Sequence, residues 1–222
     1  MRSILLILAC AGGTLFAQIS AQYLPETRDG KPDLAGVWVV RGSTNLPDDL
    51  PYRPEALKLW QERKANIAKD DPAAYCLPNG VVRITSLPYK IVQTPQLVVL
   101  LSEGNTHSFR RFFLDGRAHN LDLEPNSWTG DSIGRWEANA LVVDTIGFND
   151  KTWLDDTGKP HSDQLHVIER YRRPDAGRLV VDYTIEDPKF LTKPYTFSRT
   201  FVQANREIQE RFCTEQNHLV AK

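Results

Sequence analysis

Apolar and polar residues alternate along most of the chain after Val81, and that period of two predicts strands. A first strand is read at Gly36–Val40. The series resumes at Ile91–Thr94, Leu97–Ser102, Ser108–Asp115, Ser132–Glu137 and Leu141–Gly147. It continues through Gln164–Arg172, Arg178–Glu186, Tyr195–Val202 and Glu207–Cys213. Connections such as Glu103-Gly104-Asn105, Ala138-Asn139 and Asp175-Ala176-Gly177 have hairpin length, which favours antiparallel neighbours. One segment has a different period. Pro54–Lys69 opens with Pro at the first helical position and brings Leu57, Trp60 and Ile67 near one face, predicting an amphipathic helix. Many short strands, one helix and no internal repeat imply a single mainly β domain over residues 22–222. Its expected form is an antiparallel barrel or strongly curved sheet of lipocalin or calycin type.

The N-terminus follows another logic. Met1-Arg2-Ser3 is a short positive region, Ile4 to Phe16 is apolar, and Ile19-Ser20-Ala21 suits a signal-peptidase site. This reads as a signal segment, residues 1–21, cleaved on export to the periplasm or the medium. Ile7-Leu8-Ala9-Cys10 loosely resembles a lipobox, so lipid anchoring at Cys10 is a minor alternative. Removing the segment leaves Cys76 and Cys213, which in an oxidising compartment can form one disulfide. By loop entropy such a bridge contributes about 4–5 kcal/mol.

Composition narrows the function classes. Among 222 residues, 27 Lys and Arg stand against 28 Asp and Glu, a formal net charge of −1. Such a chain lacks the basic excess of a nucleic-acid binder. Beyond the signal segment no apolar run is long enough to span a membrane. The expected partner is a small molecule.

The candidate chemistry gathers mid-chain. On the strand from His107 to Asp115, one parity carries His107, Phe109, Arg111, Phe113 and Asp115, a mixture that suits a ligand cavity better than a dry core. The Asp115-Gly116-Arg117-Ala118-His119 turn brings an acid, a guanidinium and an imidazole together. Trp128, Trp136, Asn149, Asp150 and Trp153 come next, then a loop ending in Pro160-His161-Ser162. The runs Ile91-Val92-Gln93-Thr94-Pro95, Asp-Gly-Arg-x-His (115–119), Gly-x-Ser-x-Gly-Arg-Trp-Glu (130–137) and Leu-Val-Val-Asp-Thr-x-Gly-Phe-Asn-Asp-Lys-Thr-Trp-Leu-Asp (141–155) are long and specific. With Pro-His-Ser (160–162) they make the chain resemble a large family of secreted bacterial proteins without an assigned activity. The likeness extends from Asp33 to Asn217. Ala138-Asn139-Ala140 departs from the Gly-Asp-Thr often found at that hairpin tip.

The Gly130-Asp131-Ser132-Ile133-Gly134 run has the spacing of a nucleophile elbow, but the adjoining Arg135–Val142 segment reads as a hairpin rather than a helix. His166 and Glu169, three apart, point to opposite faces of a strand. A divalent metal is therefore a minor alternative, and no cofactor is implied. Acid–base chemistry remains, with His161, His119, Asp115, Asp150 and Arg111 as candidate catalytic groups and a carboxylate orienting an imidazole. His107, Trp128, Trp136, Asn149, Trp153 and Glu169 are candidate ligand contacts. His161, between Pro160 and Ser162, is expected to be free at a barrel mouth with Asp150 beside it. Two classes stay open: an exported lyase, isomerase or hydrolase with its site in a barrel cavity, and a lipocalin-like carrier of an apolar or aromatic ligand.

Overall fold

A computed structural model describes residues 24–66, 69–104, 108–122, 126–210 and 213. The signal segment and His107 lie outside the described residues. Nine strands close into a barrel in chain order: β1 (Gly36–Arg41), β2 (Tyr89–Gln93), β3 (Leu97–Ser102), β4 (Phe109–Phe113), β5 (Asp131–Glu137), β6 (Ala140–Ile146), β7 (His166–Asp175), β8 (Arg178–Glu186) and β9 (Tyr195–Ala204). Strand β9 returns to β1, with Val40 opposite Phe201. The mainly β barrel expected from the alternation is therefore the observed architecture.

Two elements differ from the reading of the pattern. Residues 207–210 form no strand. Helix α1 covers Pro54–Ala65 and buries Ala56 and Trp60, whereas Leu57 faces solvent. A second short helix, α2 (Gly80–Arg83), sits between two 3-10 turns.

The barrel is antiparallel at every seam but one. Strands β4 and β5 run parallel, joined by only two pairs, Phe112 with Ser132 and Phe113 with Ile133. A parallel pair cannot be closed by a hairpin, so the connection from 114 to 130 must travel back along the wall to the starting end. That connection contains the Asp-Gly-Arg turn, His119 and Trp128.

Inward positions fill the lumen. Trp38, Tyr89, Phe112, Tyr171, Tyr183 and Phe201 are essentially unexposed, as expected for a barrel of this size whose interior is packed by side chains. Trp136, at an inward parity near the end of β5, is partly buried against this core. The interior also takes a charge. On β4 it is Arg110 and Phe112 that point inward, while Phe109 and Arg111 point out. Arg110 places two nitrogens on the Glu169 carboxylate at 2.9 and 2.5 Å, and Tyr171 donates to the same carboxylate at 2.9 Å. Burial opposes the charge on Arg110, and the adjacent Glu169 outweighs it, so the guanidinium is held more firmly protonated than usual.

The 152–162 segment packs against α1, where the Trp60 indole donates to Thr157 at 3.3 Å and Lys159 Nζ lies 4.5 Å from the Trp60 ring centroid. Trp153 is buried between the guanidinium carbons of Arg63 and Arg83, 5.4 and 6.0 Å from its ring centroid. Lys159 and Asp155 form a fully buried ion pair at 3.0 Å, and Asp155 also accepts from the Leu46 and Thr157 amides. Cys76 and Cys213 are joined by a disulfide with Cα atoms 5.6 Å apart.

Candidate functional site

The outer face of β4 has an unusual surface for a strand. Phe109 is 54% exposed, and the Arg111 guanidinium carbon lies 5.8 Å from its ring centroid and 5.6 Å from that of Phe113. Arg117, from the adjoining turn, lies 3.8 Å over Phe113. Its guanidinium is fixed by Asp115, with contacts of 2.9 and 2.6 Å, and these bonds hold the Asp115 carboxyl below the ordinary carboxylate range.

Two cavities open along this face. One of about 300 Å³ lies between Phe109, Phe113 and the Ser127–Ser132 segment, which includes Trp128. The other, about 600 Å³, lies against Asp115, Arg117 and Asn120. Both are lined by Arg111, Phe113 and Asp131, so they are two lobes of one groove at the parallel seam. Gly130, at φ +69°, makes the turn into β5 in a left-handed conformation suited to glycine.

Behind the groove wall runs an alternating row of acids and imidazoles. His119 Nδ1 meets Asp131 at 2.8 Å, and its Nε2 meets Asp144 Oδ1 at 3.2 Å. His166 Nε2 meets the same Asp144 oxygen at 3.0 Å, and its Nδ1 meets Glu186 at 3.3 Å. Each ring nitrogen of the two imidazoles thus faces a carboxylate oxygen. The row crosses β5, β6, β7 and β8 on the outside of the barrel, and Asp131 joins it to the groove.

The structure sorts the residues selected from sequence. It brings Arg111, Asp115, Trp128 and His119 to the groove or, for His119, directly behind Asp131. The cavity expected on the Phe109–Arg111–Phe113 face exists, but on the outer wall rather than inside the barrel. The interior side of β4 is already filled by Arg110 and Phe112, which corrects the expectation of a luminal site. Glu169 faces inward, bonded to Arg110, and is remote from solvent. Trp136 and Trp153 pack within the fold. Asn149 and Asp150 line another surface cavity, about 340 Å³, that shares no lining residue with the groove.

His161 requires the largest correction. It is 3% exposed, not free at a mouth. Its Nδ1 donates to the Ser162 carbonyl at 2.9 Å, its Nε2 receives the Thr152 hydroxyl at 2.6 Å, and its ring meets Phe148 edge-on. Burial pushes the imidazole below its ordinary pKa, and the charge of Asp150, which acts to raise it, does not offset that. Ser132 is likewise buried, on a strand, bonded to Thr145 at 3.0 Å, so the elbow spacing forms no elbow.

Sequence reasoning missed Arg110, Asp131 and Asp144, and set His166 aside. The outward parity of Asp131 and of Asp144 was visible, but their convergence depends on strand register. Among the described residues, no group of three His, Cys, Asp or Glu side chains is placed to hold a metal ion.

No described protein family matches the chain, and no curated protein does. Among solved structures, the crystal structure of a mutant of the fluorescent protein UnaG is similar at 12% identity. The match covers 78% of this chain and 97% of that one, with a TM-score of 0.37. A superposition that loose bears on neither site nor function. The barrel assignment rests on the strand pairing itself.

Proposed function

We propose that this is a small-molecule-binding protein whose ligand lies in the groove outside the barrel, against the aromatic face of β4. The observation that carries the reading is the pair of cavities sharing Arg111, Phe113 and Asp131. A binding site of this kind combines apolar rings with a few fixed polar groups, and here Arg117, Asp115 and His119 hold those groups in place. The ligand class expected from the exposed rings is a flat or ring-shaped molecule. Export fits the same reading, because the Cys76–Cys213 bridge favours an oxidising compartment such as the periplasm or the medium. Among the described residues no helix is long and apolar enough to cross a membrane. Membership of the secreted bacterial family rests on the motifs alone.

An enzymatic reading is favoured by one specific contact. Asp131 faces the groove and accepts from His119, so a carboxylate–imidazole pair stands where an acid–base step on a bound ligand would need it. The two readings separate experimentally. A thermal-shift and tryptophan-fluorescence screen of small ring compounds should find ligands for the wild type. Phe109→Ala and Trp128→Ala should weaken binding at least tenfold with the melting temperature nearly unchanged. Binding that survives both substitutions would remove the groove from consideration. His119→Ala should abolish any turnover of the ligand found while weakening binding far less than Phe109→Ala or Trp128→Ala.

A further inference from the structure

The charged groups along the groove already have partners. Arg117 is closed on Asp115, Asp131 is closed on His119, and the Arg111 guanidinium is stacked between two phenyl rings. An anionic ligand would have to draw a guanidinium away from its partner, and a cationic one would have to compete with His119 for Asp131. Each exchange breaks an existing contact to make a similar one and adds a desolvation cost. A neutral ligand faces neither loss.

The wall still offers hydrogen bonding at fixed positions. Asp131 uses Oδ2 for both His119 and the Asn120 amide, and among the described residues its Oδ1 has no hydrogen-bond partner. Asn120 presents a side-chain amide in the second lobe. Asn120 Oδ1 accepts from the Asp122 amide, so the wall offers a carboxylate oxygen as acceptor and an amide NH2 as donor. The first lobe adds ring surface: Phe109, Phe113 and Trp128 line it together with Arg111, Thr129 and Asp131. Pyranose rings match that combination of ring surface and polar groups. One face of the ring is a patch of C–H groups that lies flat on an aromatic surface, and the rim carries hydroxyls that donate to carboxylates and amides.

We infer that the groove takes a neutral saccharide, with one ring on the Phe109–Phe113–Trp128 surface and its neighbour reaching Asp131 and Asn120. This rests on the binding reading above and gives its ligand a chemical class.

The test uses the mature protein in calorimetry and tryptophan fluorescence. The probes are a panel of neutral oligosaccharides, an anionic ring compound (indole-3-acetate) and a cationic one (tryptamine). At least one neutral oligosaccharide should bind. Its affinity should change less than about twofold between about 50 and about 500 mM NaCl, because no ion pair forms on binding. Trp128→Ala should weaken it at least tenfold, and Trp128→Phe, which keeps a ring face, should recover most of that loss. If a charged probe binds in a Trp128-dependent way and no neutral saccharide does, the saccharide inference is overturned and the binding reading stands. If no member of any class binds, both are overturned. Saccharide binding that Trp128→Ala leaves untouched would overturn the inferred placement of the sugar.

Discussion

Arg110 and Glu169 meet inside the barrel as a two-pronged ion pair with essentially no solvent exposure on either side chain. Taking two charges out of water costs several kcal/mol; their mutual attraction, the bond Tyr171 donates to Glu169 and those Arg110 donates to Ser132 and Thr145 offset it. Glu169→Gln removes the offset and strands a guanidinium in the core. The expected loss is about 3–5 kcal/mol in urea unfolding. Replacing both partners by apolar residues of similar volume should restore most of it. A loss under about 0.5 kcal/mol for the single substitution would mean that water reaches the pair.

His161 predicts a pH dependence of opposite origin. In the folded protein the ring is neutral, donating from Nδ1 and accepting at Nε2, with burial lowering its pKa below the ordinary 6.5. The unfolded chain binds a proton that the folded one refuses. The contribution of His161 to stability is therefore complete above about pH 6.5 and is lost as pH falls through the lowered folded value. Between about pH 7 and pH 5 the wild-type urea midpoint should fall more steeply than that of His161→Gln. Parallel slopes for the two proteins would contradict the assignment.

The Cys76–Cys213 bridge spans 137 residues and ties the last described residue to the loop before α2. Loop entropy assigns it about 5 kcal/mol. Cys76→Ser with Cys213→Ser, or treatment with dithiothreitol, should lower the melting temperature by many degrees without opening the groove. Unchanged melting after complete reduction, checked by thiol titration, would show that the unfolded chain is already restricted.

Gly130 couples backbone strain to the groove. A Cβ placed there would stand 2.7 Å from the Ile146 carbonyl oxygen, at a φ of +69°. Gly130→Ala should cost about 1–3 kcal/mol and weaken groove binding, since the residue forms part of its wall. Full stability in that variant would mean the turn can relax without β6.

Much of the fold was legible because alternation reports strand position well; Leu97–Ser102 and Arg178–Glu186 match their expected ends. The side of each strand was harder. On β4 both parities carry charge and aromatic rings, and only the presence of Glu169 across the barrel decides that Arg110 goes in. Polar loops misled for a related reason. The segment around His161 looks solvated in sequence, yet Asp155 and Lys159 satisfy each other, and Asp187 receives both the amide and the hydroxyl of Ser162. A loop whose polar groups find partners within itself can be buried. The His119–Asp144–His166 row is a matter of register between strands, which no local pattern carries.

Closing the barrel through β1 and β9 makes assembly depend on the end of the chain. Strand β1 has one neighbour available early, β2, and must wait for Tyr195–Ala204 before its second edge is covered. Every described groove residue is in place in the chain long before that strand is made. A polypeptide halted ahead of Tyr195 would hold the whole ligand surface yet expose two bare ladders of N–H and C=O groups, on β1 and on β8, each a template for another copy. The last strand touches no part of the groove, and it decides whether the groove exists on a monomer or is lost in an aggregate.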